Sequence, residues 1–456
     1  MKMVKSLLLG SAAGLVAIAG AQAADLPVKA KPVDYVRICS AYGAGFYYIP
    51  GTDICLRVGG YVFIESGYNA RAGVPIIYNY NNVSLIDDRN VNRVNFRTRG
   101  DLILDARAQT AIGTVRTYIS LGADWNNNLT GASAGTTTPY LERAFIQFAG
   151  FTAGQTATFF DFGGFYSIYG LASIAWDWRP VFAYTAQFGN GFSATISIED
   201  GQAIRSGGTA IGGDFNYPPV TGTTYGGQQV PDIVGNLRVD QAWGSAQVSG
   251  VLHQIRLNQA TANAGYSDTW GWAVLGGIEI KTPMIAPGDS IMLQGVWSKG
   301  AVEYTGISSS PLGVARGIGY LNQALVGPAV VIHDFSPNNG IVSLSEAWSA
   351  NLMFRHFWQP NLRSAFWIGY NAYRPAISNV PPTGAYIPGM NIWQAGGNVI
   401  WSPAPTLDLS LDVLWTRLQT TGCNIVFVGC IAATAAGQAN ATADIWSFWT
   451  RWRRNF

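Results

Sequence analysis

The sequence has little charge and no long apolar run beyond its first residues. Charged residues are 12% of the 456 residues, about half the share usual in soluble proteins. The net charge is only +2, so the concentrated basic surface of a nucleic-acid-binding protein is missing. After residue 23, no apolar run reaches the roughly 18 residues that a transmembrane helix requires. We therefore expect neither a nucleic-acid partner nor a helical membrane protein.

Histidine is also scarce, which limits metal and catalytic chemistry. The three histidines are widely separated, at His253, His333 and His356. A metal site would need His and Cys clustered more closely. No Ser/His or Asp/His set can be assembled from them, and no paired carboxylates stand out for acid–base catalysis. The sequence therefore predicts no metal, no cofactor and no enzymatic activity.

The first residues have the features of a secretory signal peptide. Lys2 and Lys5 precede an apolar run over 7–19, and Ala21-Gln22-Ala23 supplies the small residues of a cleavage site. A membrane anchor would need about 20 apolar residues, more than are present. We predict a signal peptide over 1–23 and an exported mature protein.

The four cysteines form two local pairs along the chain. These pairs are Cys39 with Cys55 and Cys423 with Cys430. Exported proteins fold where disulfides persist, so two local disulfides are a better interpretation than a metal site.

Apolar and polar side chains alternate with period two in one stretch after another, which is typical of β-strands with one polar face. In "NFRTRGDLILDARAQ", Phe96 and Leu102 alternate with Arg97 and Asp101. Sixteen such stretches begin near Cys55, Asn95, Gly113, Tyr140, Gly154, Val181, Gly191, Asp232, Trp243, Trp270, Asp289, Leu344, Leu362, Asn391, Thr406 and Ala443. The connections alternate between short ones, such as "FGNG", and long ones rich in Gly, Thr and Asn.

Two β architectures could use these strands. A soluble β-sandwich turns its polar faces to water, which should make them rich in Lys and Glu, yet lysine is rare here. A transmembrane barrel has an apolar outer band, aromatic girdles, a polar lumen, and short turns opposite long loops. The 16 Trp and 21 Tyr suit such girdles, and only a closed barrel pairs every backbone group of its strands in lipid. We predict an all-β fold: a 16-stranded antiparallel transmembrane barrel over 55–456, after a periplasmic segment over 24–54.

Four arginines on three neighbouring predicted strands must face the lumen. An arginine on the lipid face at the bilayer centre costs about 2–4 kcal/mol, so four would exceed the typical stability of a domain. The four are Arg97, Arg99, Arg116 and Arg143. They predict a basic wall at a pore constriction. The alternative is that they pair along the wall with Asp101, Asp105 or Glu142.

Three segments resemble alphaproteobacterial outer-membrane porins. They are "CSAYGAGFYYIPGTDICLRVGGYV" (39–62), "RTRGDLILDARAQTAIGTVRTYISLGA" (97–123) and "LERAFIQFAGFTAGQTATFFDF" (141–162). The resemblance implies a general diffusion porin of the Gram-negative outer membrane that passes ions and small hydrophilic solutes. It further implies a homotrimer, surrounded by outer-membrane lipids and lipopolysaccharide, whose third loop folds into the pore.

The resemblance also implies roles for particular residues. Asp161-Phe162-Gly163-Gly164 is similar to the Glu-Phe-Gly-Gly element of porin constriction loops, so Asp161 and Asp177 would face the basic wall and create a charge-selective constriction. The stretch "IWSFWTRWRRNF", ending in Phe456, resembles the signal read by the barrel-assembly machinery. Arg454 departs from that signal, in which a hydrophobic residue is common.

Three other functions stay open. A solute-specific channel would show a track of lumen aromatics, for which Tyr61, Tyr118 and Trp449 are candidates. An outer-membrane barrel enzyme would need a catalytic set at the membrane rim. A structural barrel plugged by its own loops would need a long loop, and 300–340 is long enough.

Overall fold

A computed structural model describes the greater part of the chain. The described residues are 37–71, 74–75, 93–127, 135–163, 166–167, 178–205, 225–263, 265–307, 332–338, 341–376, 379–380, 385–386, 389–423 and 439–456. The chain divides into two compact units, 1–55 and 56–456. The predicted signal peptide over 1–23 lies outside the described residues and stays a prediction.

The first unit contains a disulfide between Cys39 and Cys55, whose Cα atoms are 5.9 Å apart. Both cysteines are buried beside Phe46, and the Cys39 amide donates to the Phe46 carbonyl at 2.9 Å. A 3₁₀ helix (Ser40–Tyr42) and a strand (Tyr47–Tyr48) complete the described part of this unit. The predicted first pair of cysteines is therefore confirmed. Cys430 lies outside the described residues, so the second pair stays a prediction.

The second unit is a closed antiparallel barrel of sixteen strands. These are β1 (Cys55–Tyr68), β2 (Val94–Thr110), β3 (Gly113–Asn126), β4 (Thr136–Phe148), β5 (Phe151–Ala157), β6 (Trp178–Gly189), β7 (Phe192–Glu199), β8 (Asp232–Gln241), β9 (Gly244–Ile255), β10 (Thr269–Lys281), β11 (Ser290–Lys299), β12 (Glu346–Gln359), β13 (Leu362–Arg374), β14 (Gly389–Ala404), β15 (Leu407–Cys423) and β16 (Ala439–Asn455). Each pairs with the next, and β16 pairs with β1 to close the barrel. Every predicted strand start lies within four residues of an observed one.

Short turns join the strands at one end of the barrel, and much longer connections join them at the other. The β6–β7 turn is residues 190–191, whereas β7 and β8 are joined by 200–231. Asn190 and Gly191 both have positive φ, 48° and 76°, as two-residue hairpins that follow the twist of the strands require. A Cβ on Gly191 would lie 1.9 Å from the Asp240 carbonyl oxygen, so only glycine fits this turn.

The remaining described elements are short and lie in the connections. They are helix α1 (Gln259–Asn263), the 3₁₀ helices Gln202–Ile204 and Val302–Thr305, and three small strand pairs: Ala70–Arg71 with Val74–Pro75, Phe335–Asn338 with Ile341–Leu344, and Asn379–Val380 with Ala385–Tyr386. Within the described ranges, no helix is long and apolar enough to cross a membrane.

The alternation predicted from the sequence separates the two faces of the barrel. In β16, Trp446 and Trp452 are 54% and 59% exposed, whereas Ser447 and Trp449 are 0% and 3% exposed. Strands β12 to β14 carry an outward aromatic row, with ring centroids 4.7 Å apart for Trp348 and Tyr370 and 4.4 Å apart for Tyr370 and Trp393. The outer face is therefore apolar and aromatic, and the polar side chains point inward.

Candidate pore constriction

A network of charges covers the inner face where β1, β2, β3 and β16 meet. Asp124 accepts two hydrogen bonds from Arg97, at 3.1 and 2.9 Å, and two from Arg99, at 2.6 and 2.5 Å. Glu65 accepts from Arg97 at 3.4 Å and from Arg451 at 2.8 Å. The alternation of side chains along each strand turns these charged groups inward. The antiparallel pairing of β2 with β3 places Arg99 directly opposite Asp124. The result is a charge-assisted chain across four strands.

A second network surrounds Asp105, whose side chain is fully buried. Its carboxylate accepts two hydrogen bonds from Arg107, at 3.0 and 2.8 Å, and two from Arg116, at 3.0 and 3.1 Å. Arg57 lies 3.8 Å from the same carboxylate, and Arg116 also donates to Gln147 at 3.0 Å. One acid therefore holds three guanidinium groups close to the inner surface.

Between the two networks, acids are bound by hydroxyl groups. Asp101 accepts from Ser120 at 2.8 Å and from Tyr140 at 3.0 Å. The Tyr61 hydroxyl donates to Glu142 at 3.2 Å. The register of β3 and β4 shifts at Ser120, which places two successive β4 residues, Glu142 and Arg143, on the wall. The Arg143 Nε is buried and has no hydrogen-bond partner among the described residues.

The structure brings the four predicted arginines together on β2, β3 and β4, in the middle of an inner wall that also includes β1 and β16. Arg116 pairs with Asp105, which was one of the pairings weighed from the sequence. Arg97 and Arg99 pair instead with Asp124, a carboxylate outside the pairings weighed from the sequence. The alternation of β3 could have identified Asp124, because it shares a face with Arg116.

Pairing does not neutralise this wall, which we call the arginine wall. It carries eight arginines: Arg57, Arg97, Arg99, Arg107, Arg116, Arg143, Arg451 and Arg453. It carries five carboxylates: Glu65, Asp101, Asp105, Asp124 and Glu142. Eight positive against five negative charges leave an excess of three positive charges on the described part of the wall.

The third long connection follows β5. It lies along the inner face of strands β7, β8 and β9. Glu199 of β7 accepts from the Thr158 hydroxyl at 2.5 Å. The Arg238 Nη1 of β8 donates to the Phe162 carbonyl at 2.9 Å. The Gln247 Nε2 of β9 donates to the Asp161 carbonyl at 3.0 Å. The described part of this connection, 158–163 and 166–167, is named loop 3.

Loop 3 continues along the inner face as far as β14. The Tyr166 hydroxyl donates to Glu279 of β10 at 2.5 Å, and the Tyr166 carbonyl accepts from Asn398 of β14 at 3.0 Å. The Phe162 ring packs over Gly277, where a Cβ would lie 2.4 Å from the ring. Strands β7 to β14 form a part of the closed barrel separate from strands β16 to β4, which carry the arginine wall.

The structure describes only one of the two acids predicted for this loop. Asp161 lies on loop 3 and is half-buried, with its backbone held by Gln247. Asp177 lies outside the described residues. A constriction formed by the arginine wall and these acids therefore stays a prediction.

A second connection, after β11, also enters the barrel. From the sequence, 300–340 is only long enough to plug a barrel, and no particular contact is predicted for it. All four residues of its 3₁₀ helix, Val302–Thr305, are buried. The Tyr304 hydroxyl donates to Asp232 at 2.5 Å and accepts from Arg179 at 2.8 Å. The Tyr304 ring meets the Phe160 ring of loop 3 edge-on, with centroids 4.8 Å apart. The described parts of this connection, 300–307, 332–338 and 341–345, are named loop 6.

Asp334 holds the two limbs of loop 6 together. Its Oδ1 accepts from the Val302 amide at 2.8 Å, and its carbonyl accepts from the Ser345 amide at 2.8 Å. Its Oδ2 accepts from the Tyr225 hydroxyl at 2.9 Å. Burial raises the pKa of Asp334 to about 6, because the charged form loses its hydration.

Two of the three histidines lie within hydrogen-bond distance of buried acids. His253 is buried on β9, with Nδ1 2.7 Å from Asp232 and Nε2 3.1 Å from the Tyr225 hydroxyl. His356 lies 2.7 Å from Asp289. In the described part of the chain, no group of three His, Cys, Asp or Glu side chains could hold a metal ion.

The family model of the porin subfamily matches residues 25–448. The chain belongs to the porin subfamily. It is an outer-membrane β-barrel of a Gram-negative bacterium and forms a channel for passive diffusion, as the resemblance implied.

Curated relatives and a solved structure agree with this assignment. The porin is 36% identical to porin Omp2b of Brucella melitensis biotype 1 over 312 residues, which are 65% of this chain and 75% of the relative. It is 35% identical to porin Omp2b of Brucella suis biovar 1, with the same coverage. The outer membrane channel DcaP of Acinetobacter baumannii has a similar fold, with a TM-score of 0.60, 14% identity, and coverage of 90% of this chain and 99% of that one.

Phe456 continues the seam that closes the porin barrel. Its amide donates to the Gly60 carbonyl at 3.0 Å, and its carbonyl accepts from the Gly60 amide at 3.1 Å. A Cβ on Gly60 would lie 2.2 Å from the Asp101 carbonyl and 2.7 Å from the Phe456 ring, so the seam requires glycine there. Recognition of Phe456 by the barrel-assembly machinery stays a prediction.

Proposed function

We propose that this porin passes small hydrophilic solutes between the arginine wall and loop 3, and that this gap is its constriction. The observation that supports the proposal is the excess of positive charge on one wall, with loop 3 along the inner face of strands β7 to β14. Fixed charges placed in this way act on permeants through their charge and dipole. Solute size and dipole orientation would then set the passage rate.

The lumen aromatics favour general diffusion over a solute-specific aromatic track. Tyr61 and Phe63 stack with centroids 5.9 Å apart, but they are only 7% and 4% exposed. Guanidinium groups cover them, since Arg453 lies 4.1 Å from the Tyr61 ring centroid and Arg451 4.5 Å from that of Phe63. A permeating sugar would therefore meet charged groups before it met these rings.

Loop 6 favours the plugged barrel as a second candidate function. Its buried 3₁₀ helix and its contact with loop 3 support a lumen that is occupied by more than one loop. A barrel filled by two loops would act as a structural or adhesive protein. Only transport distinguishes the two candidates, because both use the same fold.

Further proposals concern assembly and chemistry. We propose that the porin assembles as a homotrimer in the outer membrane, among lipids and lipopolysaccharide, and that it has no enzymatic activity. The trimer is supported by family membership. Channel closures that occur in groups of three in single-channel recordings would support the trimer.

Single-channel recording in a planar bilayer tests the proposed function. The refolded protein should give large ohmic openings in KCl, and the reversal potential in a KCl gradient gives the charge preference. Folding is checked by heat-modifiable migration on SDS gels. A folded barrel that leaves the membrane silent would refute passage between the arginine wall and loop 3 and support a lumen plugged by its loops.

A further inference from the structure

A polar cavity lies beside loop 3, on the inner face of strands β12 to β14. Its volume is about 210 Å³, and it is lined by Tyr166 and Ser167 of loop 3 and by Arg355, Arg363 and Asn398 of strands β12 to β14. We call it the loop 3 pocket. Two guanidinium groups therefore face one small, half-enclosed space that the proposed constriction does not use.

Arg355 enters the loop 3 pocket without a short ion pair. The nearby Glu279 carboxylate is bound by the Tyr166 hydroxyl at 2.5 Å, and the Arg355 Nη2 lies 3.9 Å from the same oxygen. Arg355 donates instead to the neutral Ser290 hydroxyl at 3.1 Å, and its buried Nε has no hydrogen-bond partner among the described residues. Its positive charge is therefore only weakly compensated by the surrounding side chains.

The guanidinium plane of Arg355 is nevertheless fixed in position. It lies 4.7 Å from the centroid of the Tyr166 ring and 5.8 Å from that of Phe357. Stacking on an aromatic face restricts the side chain but leaves the N–H edge available. This arrangement prepares a planar donor group in advance, which lowers the entropic cost of binding a ligand.

Arg363 adds a second guanidinium group that is already paired. Its Nη2 donates to Asp408 at 2.8 Å and its Nη1 donates to Ser402 at 3.1 Å. Asn398 donates to the Tyr166 carbonyl and accepts from the Ala365 amide, which holds the side chain in place and leaves one N–H for a further contact. The pocket therefore holds one compensated and one weakly compensated cation, which suits a ligand with one or two negative charges.

We propose that the loop 3 pocket binds the oxyanion group of small anionic solutes, a carboxylate or a phosphate. Arginine is the side chain best suited to such groups, since its N–H edge matches two oxygens at once. The cavity has room for the anionic end of a solute and excludes large ones. The role of this site in transport rests on the proposed function, whereas binding itself does not require conduction.

Isothermal titration calorimetry of the refolded barrel in detergent tests the proposal, with inorganic phosphate and acetate as separate probes. The wild type should bind at least one of them, and the probe that binds identifies the preferred oxyanion. Arg355→Gln should weaken binding about tenfold or more, because a charge-assisted hydrogen bond is lost. Arg355→Lys keeps the charge without the planar edge and should give a smaller loss.

Arg417→Gln is the matched control. Arg417 pairs with Asp444 on the outward face, so this variant should bind as the wild type does. Failure of the wild type to bind either probe, or equal binding by wild type and Arg355→Gln, would overturn the proposal. Bilayer recordings of the same samples judge the diffusion channel separately, since a conducting barrel without phosphate or acetate binding would refute the pocket alone.

Discussion

Asp124→Asn is the most direct test of the arginine wall. Asp124 accepts four hydrogen bonds from two arginines, so its replacement adds one positive charge to the wall and keeps the side-chain shape. For an ion passing at about 7 Å in water, one unit charge is worth about 0.6 kcal/mol. That energy favours anions and disfavours cations by roughly 2.7-fold each, a change of about sevenfold in the permeability ratio.

Salt reduces this effect in a predictable way. At about 0.1 M the Debye length is about 10 Å, which roughly halves the energy and leaves a change of about threefold. The assay is the reversal potential in KCl gradients at low and moderate salt. We expect Asp124→Asn to shift the ratio toward anions, and more strongly at low salt.

Asp444→Asn is the control for Asp124→Asn. Asp444 also accepts a bidentate arginine pair, from Arg417 at 2.8 and 2.9 Å, but it lies on the outward face and should leave selectivity unchanged. Removing one partner of a buried ion pair costs about 3–5 kcal/mol, so folding of Asp124→Asn must be checked on SDS gels. A folded Asp124→Asn barrel with wild-type selectivity at low salt would show that permeants do not pass close to this wall.

Two further predictions concern the loops. Gly277→Ala should displace loop 3 toward the lumen and lower the conductance, because its Cβ would lie 2.4 Å from the Phe162 ring. The control is Gly276→Ala, whose Cβ meets nothing within 4 Å and which should conduct normally. Equal conductance of the two variants would refute the described path of loop 3. Burial raises the pKa of Asp334 from 3.8 to about 6, so the folded protein favours the protonated carboxyl. Protonated Asp334 therefore adds on the order of 3 kcal/mol to the free energy of unfolding. This contribution is complete below pH about 4 and is lost as the pH rises through about 6. The melting temperature of the wild type should therefore fall over that range relative to Asp334→Asn, and parallel pH profiles would contradict this.

The strands could be predicted because each carries its own signal. Period-two alternation shows a strand with two different faces, and the cost of an arginine in lipid decides which face is inward. These two rules together place Arg97, Arg99 and Arg116 in the lumen, where the structure has them. The same physics could not choose their partners, because Asp101, Asp105 and Asp124 all face inward, and only the register between strands decides which of them each arginine reaches.

The loops could not be predicted in the same way. Loop 3 was expected inside the barrel only because of a resemblance, and nothing in the period of "AVEYTG" shows that Val302–Thr305 would be buried. Their burial depends on partners from distant strands, such as Asp232 and Arg179. The register shift opposite Ser120 is likewise a property of two strands together, so a single strand pattern does not reveal it.

The seam between β1 and β16 determines the order in which the fold can be completed. Glu65 of β1 reaches Arg451 of β16 across 386 positions of sequence, so β1 keeps one open edge until the final strand has reached it. Contacts this distant in sequence form slowly, and an open sheet edge can pair with other chains. The unclosed sheet is therefore the state most exposed to aggregation, and formation of this one seam removes both of its open edges together.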